Sequence, residues 1–158
     1  MKLLFLAIAA TSFFQIQKCE AIPDDFLGKW SAKMTVVYSG KKIQATGTST
    51  ISRLETQGVL FQSYVKIKGQ SPGYSEARFY DSGVVEVEVW TGGEYAGSGD
   101  GVWSVSENQL FSRVYMTTLY MDYSQDVTYT VKGRKKVVMS TTTSYGARGS
   151  GVMVRKGK

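Results

Sequence analysis

Phe26-Leu27-Gly28-Lys29-Trp30, continued to Tyr38, is the stretch of sequence that decides the fold. From residue 29 to residue 36, apolar and polar side chains alternate almost without exception. A period of two places successive side chains on opposite faces, as in a strand that buries one face. The pattern therefore predicts a first β-strand with an inward face made of Trp30, Ala32, Met34, Val36 and Tyr38.

The residues before this strand have the pattern of a secretory signal peptide. A short basic start precedes an apolar run over residues 3–14, and the small residue Ala21 follows. The apolar run is short for a bilayer span; an uncleaved anchor and a lipidated Cys19 are the alternatives. Cleavage after Ala21 removes the only cysteine, so the mature chain forms no disulfide and depends on its core. We expect a secreted or periplasmic protein, with residues 1–21 as the signal peptide and residues 22–158 as one domain.

Strand patterns continue from Trp30 to the end of the chain. Runs of alternating residues recur about every ten residues between turn signals, and no linker, repeat or long helical pattern interrupts them. A meander of neighbouring strands has two exposed edges, which closure into a barrel removes. We predict an all-β fold, an antiparallel up-and-down meander of about 8–10 strands closed into a barrel. Its last strand, residues 152–155, would pair with the first, and its interior would hold side chains or one small ligand.

The first predicted hairpin turns at Gly40-Lys41. A two-residue loop with glycine first is typical of a type II′ turn. This turn sets Tyr38 opposite Ile43 and Met34 opposite Gly47, so that the inward faces of both strands agree.

A second hairpin is predicted at Asp81-Ser82-Gly83, where glycine takes the left-handed position of a three-residue loop. The resulting register sets Phe79 opposite Val85. The glycine-rich segment from Gly92 to Gly101 is predicted to be the most mobile loop of the chain.

The chain resembles the calycin group, the lipocalins and their relatives. The features that carry the resemblance are Gly28-Lys29-Trp30 at the start of the first strand, the meander order and the export signal. The resemblance covers most of residues 26–156 and implies a lipocalin-like β-barrel. It also implies that Trp30 packs across the closed end of the barrel, with a basic residue near the chain's end, Arg155, covering it.

Several kinds of chemistry are excluded by composition. The chain has no histidine, and the predicted cleavage removes its one cysteine. Ser-His and Cys-His nucleophiles, histidine-ligated haem and nearly all zinc sites are therefore excluded, and we expect no catalytic residue, metal or cofactor. A carboxylate-based hydrolase would need Glu86 and Glu88 to line a cleft. The favoured alternative is that they lie on a charged outer face beside Arg78.

Aromatic and apolar residues on the predicted inward faces are candidates for lining a ligand cavity, although they would also serve to fill the barrel. Between them lie small residues that leave space, among them Ala45, Gly47 and Ser63. The candidate ligand-binding residues are Trp30, Met34, Tyr38, Phe61, Phe79, Trp103 and Tyr129.

Two hypotheses for function follow. The first is an exported, non-enzymatic barrel that holds a small, mostly apolar or aromatic ligand inside. The second is an interaction or structural module with a solid core, which meets a macromolecule through residues 92–101 or the basic residues from Lys132 to Lys136. Neither requires specific nucleic-acid binding or a membrane-spanning segment after cleavage. Lysines on alternate strand faces and the terminal sequence Lys156-Gly157-Lys158 disfavour an outer-membrane barrel.

Overall fold

The computed structural model describes residues 21–157, in which one turn of 3₁₀ helix, Asp24–Phe26, precedes ten β-strands. The predicted signal peptide, including Cys19, lies outside the described residues apart from Ala21. The strands are β1 Gly28–Tyr38, β2 Lys41–Arg53, β3 Gly58–Ile67, β4 Gly73–Tyr80, β5 Val84–Thr91, β6 Glu94–Ser106, β7 Gln109–Thr118, β8 Asp122–Val131, β9 Lys136–Thr143 and β10 Arg148–Arg155.

All ten strands form one antiparallel sheet that closes on itself. Each strand pairs with its neighbours in sequence, and β10 pairs with β1 from Trp30 opposite Arg155 to Val37 opposite Arg148. The sheet therefore has no free edge, the arrangement that removes the risk of edge-to-edge association. The predicted fold, an all-β meander closed into a barrel, is confirmed.

The register of the first hairpin differs from the prediction by two residues. Met34 lies opposite Ala45 instead of Gly47, because the turn is made by Ser39 and Gly40. Both have positive φ angles, 48° and 73°, as a type I′ turn requires. A shift by two residues leaves every side chain on its predicted face, so the predicted inward face of β1 is retained.

The second hairpin has the predicted register, with Phe79 opposite Val85. The prediction that residues 92–101 form a loop is wrong. Gly92 and Gly93 make a tight turn, and β6 begins at Glu94. Its glycines at alternate positions face inward, close against the backbone of β7. This segment is therefore strand rather than loop, with one register shift opposite Val89 and Trp90.

The two ends of the barrel differ. At the closed end, the 3₁₀ helix covers the interior, and the indole nitrogen of Trp30 donates a hydrogen bond of 2.9 Å to the Phe26 carbonyl. The open end carries the turns that follow β1, β3, β5, β7 and β9. Fully buried apolar side chains fill the closed end: Ile22, Phe26, Trp30, Val59, Val85, Leu110 and Val137.

No helix among residues 21–157 has the length and apolar character needed to cross a bilayer.

Candidate functional site

The closed end is held by Arg155, the last residue of β10. Its guanidinium carbon lies 4.5 Å from the centroid of the Trp30 ring, in cation–π geometry. The same side chain donates hydrogen bonds to the carbonyls of Leu27 at 2.7 Å, Asp25 at 2.6 Å and Arg134 at 2.9 Å. One cation thereby joins the helical turn, the start of β1 and the β8–β9 loop. The position of Arg155 over Trp30 is the one that the resemblance implied.

Above this seal, aromatic rings fill one side of the interior. The Phe79 ring contacts Phe61 at 4.8 Å and Trp103 at 6.0 Å between centroids. The indole nitrogen of Trp103 donates a hydrogen bond of 2.8 Å to the carbonyl of Tyr80. Since these rings pack against one another, the half of the barrel next to the closed end is solid.

The other side of the interior contains a cavity of about 200 Å³. It lies against β1, β2 and β3, with Ser75 of β4, on one side and against β8, β9 and β10 on the other. The cavity exists because small side chains occupy neighbouring inward positions of these strands, where larger ones would fill the space. The small lining residues include Ala32, Ala45, Gly47, Ser49, Ser63, Ser75 and Gly149.

The cavity wall combines apolar surface with a few polar groups. The hydroxyls of Ser49 and Ser63 lie 2.8 Å apart and share a hydrogen bond. On the facing strands, the amide of Gln125 donates to the Thr141 hydroxyl at 3.0 Å. These pairs are satisfied within the protein and still offer acceptor lone pairs to the cavity.

Tyr129 is a polar group of the cavity wall whose hydroxyl has no hydrogen-bond partner among the described residues. Its ring packs on Phe61 at 5.6 Å between centroids. Burial alone raises the pKa of Tyr129 to about 12, and within residues 21–157 no side chain or backbone group is hydrogen-bonded to its hydroxyl. Every fully buried side-chain oxygen of the described residues has a partner, so the unpartnered Tyr129 hydroxyl retains accessible surface and is available to a bound molecule.

The seven candidate residues from the sequence separate into three groups. Those that line the cavity are Met34, Phe61 and Tyr129. Those that fill the barrel below it are Trp30, Phe79 and Trp103. Tyr38 lies at the open end and is 44% exposed. Inward aromatic residues near the closed end therefore fill the barrel, whereas those nearer its middle line the cavity.

Apart from Tyr129, sequence reasoning did not identify the part of the cavity wall that comes from the last three strands. The side chains concerned are Gln125, Val127, Met139, Thr141 and Met153. They occupy alternate positions of β8, β9 and β10, so the same period of two contained the signal. From sequence alone, polar residues at inward positions, such as Gln125 and Thr141, look the same as polar residues on an exposed strand face.

Three tyrosines form a chain of ring contacts at the rim of the open end. Tyr145, in the β9–β10 turn, contacts Tyr38 at 5.5 Å and Tyr123 at 5.1 Å between centroids, both edge to face. Burial, and then the neighbouring Tyr145, raise the pKa of Tyr123. The rim above β8, β9, β10 and β1 thus carries three tyrosine rings in edge-to-face contact.

Glu86 and Glu88 lie on the outer face of the barrel and do not line the cavity. Arg78 forms ion pairs with Glu88 at 2.7 Å and with Glu76 at 2.6 Å. Glu86 accepts a hydrogen bond of 2.9 Å from the Tyr80 hydroxyl. The interior cleft that a carboxylate-based hydrolase would need is therefore not formed by this pair. Across residues 21–157, no three histidine, cysteine, aspartate or glutamate side chains converge to hold a metal ion.

Comparison with known proteins gives likenesses of fold. No protein-family model matches the sequence, and no curated protein matches it significantly. The chain is similar to Rv2717c from M. tuberculosis, with 11% identity and a TM-score of 0.61 over 84% of this chain and 94% of that one. It is similar to a redesigned β-barrel, mFAP1, bound to DFHBI, with 14% identity and a TM-score of 0.54 over 84% and 96% of the two chains. Likenesses at this level of identity establish the class of fold, a closed antiparallel β-barrel.

Proposed function

We propose that this protein is an exported binding barrel that holds one small, mostly apolar molecule in the cavity between β1–β3 and β8–β10. The observation that carries the proposal is the combination of an interior space with an unpartnered hydroxyl, that of Tyr129, in its wall. A purely apolar cavity would accept any apolar molecule that fits. A hydroxyl that can donate and accept a hydrogen bond instead orients a ligand that carries a matching polar atom.

The size of the cavity limits the guest. Pockets for drug-sized ligands begin at about 300 Å³, and an apolar cavity of about 150 Å³ accepts benzene. A volume of about 200 Å³ therefore suits a molecule of one or two rings, or a short branched chain, with one hydroxyl, carbonyl or amine. Met34, Met139 and Met153 line the space, and methionine side chains adapt readily to the shape of a guest.

Three features support this class of function. The redesigned barrel mFAP1, of the same fold, is bound to the small molecule DFHBI. The seal of Arg155 over Trp30 matches the calycin-type barrel that the sequence resembles. The basic and apolar residues at the start of the chain are typical of an exported protein. We propose export, and we propose that the protein is not an enzyme.

The proposal is tested with phenol and toluene as probes, by calorimetry on the purified barrel and by native mass spectrometry for a co-purifying molecule. We expect both probes to bind, and Tyr129→Phe to weaken phenol about threefold to tenfold, the value of one hydrogen bond, while toluene binding is unchanged. Ala45→Leu fills the cavity and should abolish binding of both probes.

The matched control is Gln44→Leu. It adds a similar apolar side chain at the neighbouring position of β2, where the side chain is exposed. Probe binding should be as in the unchanged protein. The proposal fails if neither probe binds and no molecule co-purifies, or if Ala45→Leu and Gln44→Leu affect binding equally.

A further inference from the structure

The β7–β8 turn displays three apolar side chains to solvent at the open end. Leu119 is 72% exposed, Tyr120 89% and Met121 46%. Consecutive large apolar side chains at such exposure are unusual in soluble domains and typically mark a surface that meets an apolar partner. We call residues 119–121 the apolar tip.

The apolar tip is held in place by its own hydrogen bonds. The Thr118 hydroxyl donates to the Met121 carbonyl at 2.7 Å and accepts from the backbone nitrogens of Tyr120 at 3.3 Å and Met121 at 3.2 Å. The Leu119 nitrogen donates to the Ala96 carbonyl on β6 at 3.0 Å. The turn is therefore preorganised to present its side chains away from the barrel.

The far side of the same end is basic. The turn after β1 leads to Lys41 and Lys42, Lys68 follows the end of β3, and β10 begins at Arg148; all four side chains are exposed. Only two exposed carboxylates of the described residues, Glu94 and Asp122, lie at the ends of strands there. The open end therefore carries the apolar tip on one side and these cations on the other.

We propose that the open end docks on an anionic lipid bilayer, with the apolar tip entering the headgroup region and the four cations facing lipid phosphates. A bilayer surface offers both partners at once, an apolar layer beneath negative charge. A folded acidic protein would match the cations but would leave the tip without an apolar counterpart. The inference does not rest on the cavity or its ligand.

The test measures co-sedimentation of the purified barrel with vesicles. We expect binding to vesicles that contain phosphatidylglycerol and little binding to pure phosphatidylcholine. Changing the tip with Leu119→Ser, Tyr120→Ser and Met121→Ser together should weaken binding about tenfold or more. Lys41→Glu with Lys42→Glu should do the same, and added salt should weaken binding of the unchanged protein.

The closed end supplies matched controls because it is basic as well. Lys135→Glu with Lys136→Glu makes the same change of charge at the opposite end, and Val102→Ser removes an apolar side chain that is 60% exposed on the outer wall. Both should leave vesicle binding nearly unchanged. Equal losses for the two lysine pairs, or full binding by the tip variant, would overturn the proposal.

Phenol binding separates this proposal from the function of the cavity. The tip variant should bind phenol as the unchanged protein does, since residues 119–121 do not line the cavity. Loss of vesicle binding with intact phenol binding supports the docking surface. Intact vesicle binding in Ala45→Leu, which cannot accept phenol, would show that docking is independent of the cavity.

Discussion

The guanidinium of Arg155 lies over the Trp30 ring at 4.5 Å and joins the last strand to the first at the closed end of the barrel. The two residues are also direct neighbours in the β1–β10 ladder. A side-chain contact and the strand pairing therefore close the same junction, which brings together chain segments from opposite ends of the described residues. Such long-range contacts carry the largest loop-closure cost in folding.

Arg155→Ala should destabilise the barrel by about 2 kcal/mol, because it removes the cation–π contact and leaves three carbonyls without their donor. Urea unfolding measures the loss. Arg148→Ala, at the exposed start of the same strand, is the control and should change stability by less than about 0.5 kcal/mol. Equal effects of the two variants would contradict the role given to Arg155.

The closed barrel was predictable because period-two alternation runs through nearly the whole chain and because a meander needs closure. Turn chemistry was less informative. Asp81-Ser82-Gly83 gave the right register, whereas the first turn uses Ser39 at a positive φ of 48°, a conformation that serine adopts rarely. The predicted β1–β2 register was wrong by two residues. A shift of two residues leaves each side chain on the same face of the sheet, so the inward residues of these strands were still predicted correctly.

The cavity was harder to predict than the barrel. Its small residues on β1, β2 and β3 were visible in the sequence. Whether aromatic rings fill the space beside them depends on how Phe61 packs against Phe79 on the neighbouring strand and against Tyr129 on the distant strand β8. The glycines of β6 indicated a loop in the sequence although they lie in a strand, and the reason is related. A Cβ at Gly101 would overlap the Arg113 carbonyl on β7, and this close approach of two strands has no local signature.

Gly47→Ala should destabilise the fold by about 1–3 kcal/mol, the usual cost of overpacking, because the added Cβ would overlap the Tyr64 carbonyl on β3. The control is Gly73→Ala in β4, where a Cβ would meet only the Trp90 carbonyl oxygen at 3.9 Å. Gly73→Ala should be neutral, or stabilising by about 0.4–1 kcal/mol through the unfolded state. Thermal unfolding of both variants checks the difference, and an effect of equal size at the two glycines would contradict it.

Glu76 should contribute stability that depends on acid pH. Hydrogen bonds from Tyr74 at 2.6 Å and Gln62 at 3.0 Å, and the nearby charge of Arg78, hold the pKa of Glu76 below its ordinary value of 4.5. A lowered pKa in the folded state favours folding above about pH 4.5, and this contribution is lost as the pH falls through the folded pKa.

Urea unfolding between pH 7 and pH 3 should therefore show a smaller loss of stability on acidification for Glu76→Gln than for the unchanged protein. Glu94→Gln, at the exposed start of β6, is the control and should leave the dependence of stability on acid pH unchanged. An unaltered pH profile for Glu76→Gln would contradict the prediction.

Tyr129 should make the barrel sensitive to alkaline pH. Burial raises its pKa from 10.0 to about 12 in the folded state, so the neutral hydroxyl is favoured by folding. Below about pH 10 this contribution is complete, and between about pH 10 and pH 12 it falls by about 1.4 kcal/mol per pH unit, because the unfolded chain releases its proton first. Tyr129→Phe has no proton to release at this position, so its free energy of unfolding should fall less steeply over the same pH interval.

Urea unfolding at stepped pH measures how steeply the stability of each protein falls. Ultraviolet titration of the tyrosine hydroxyls should show one fewer late-titrating group in Tyr129→Phe. Parallel slopes in the two proteins would mean that the Tyr129 hydroxyl reaches solvent freely, and the cavity would then not be an enclosed apolar site.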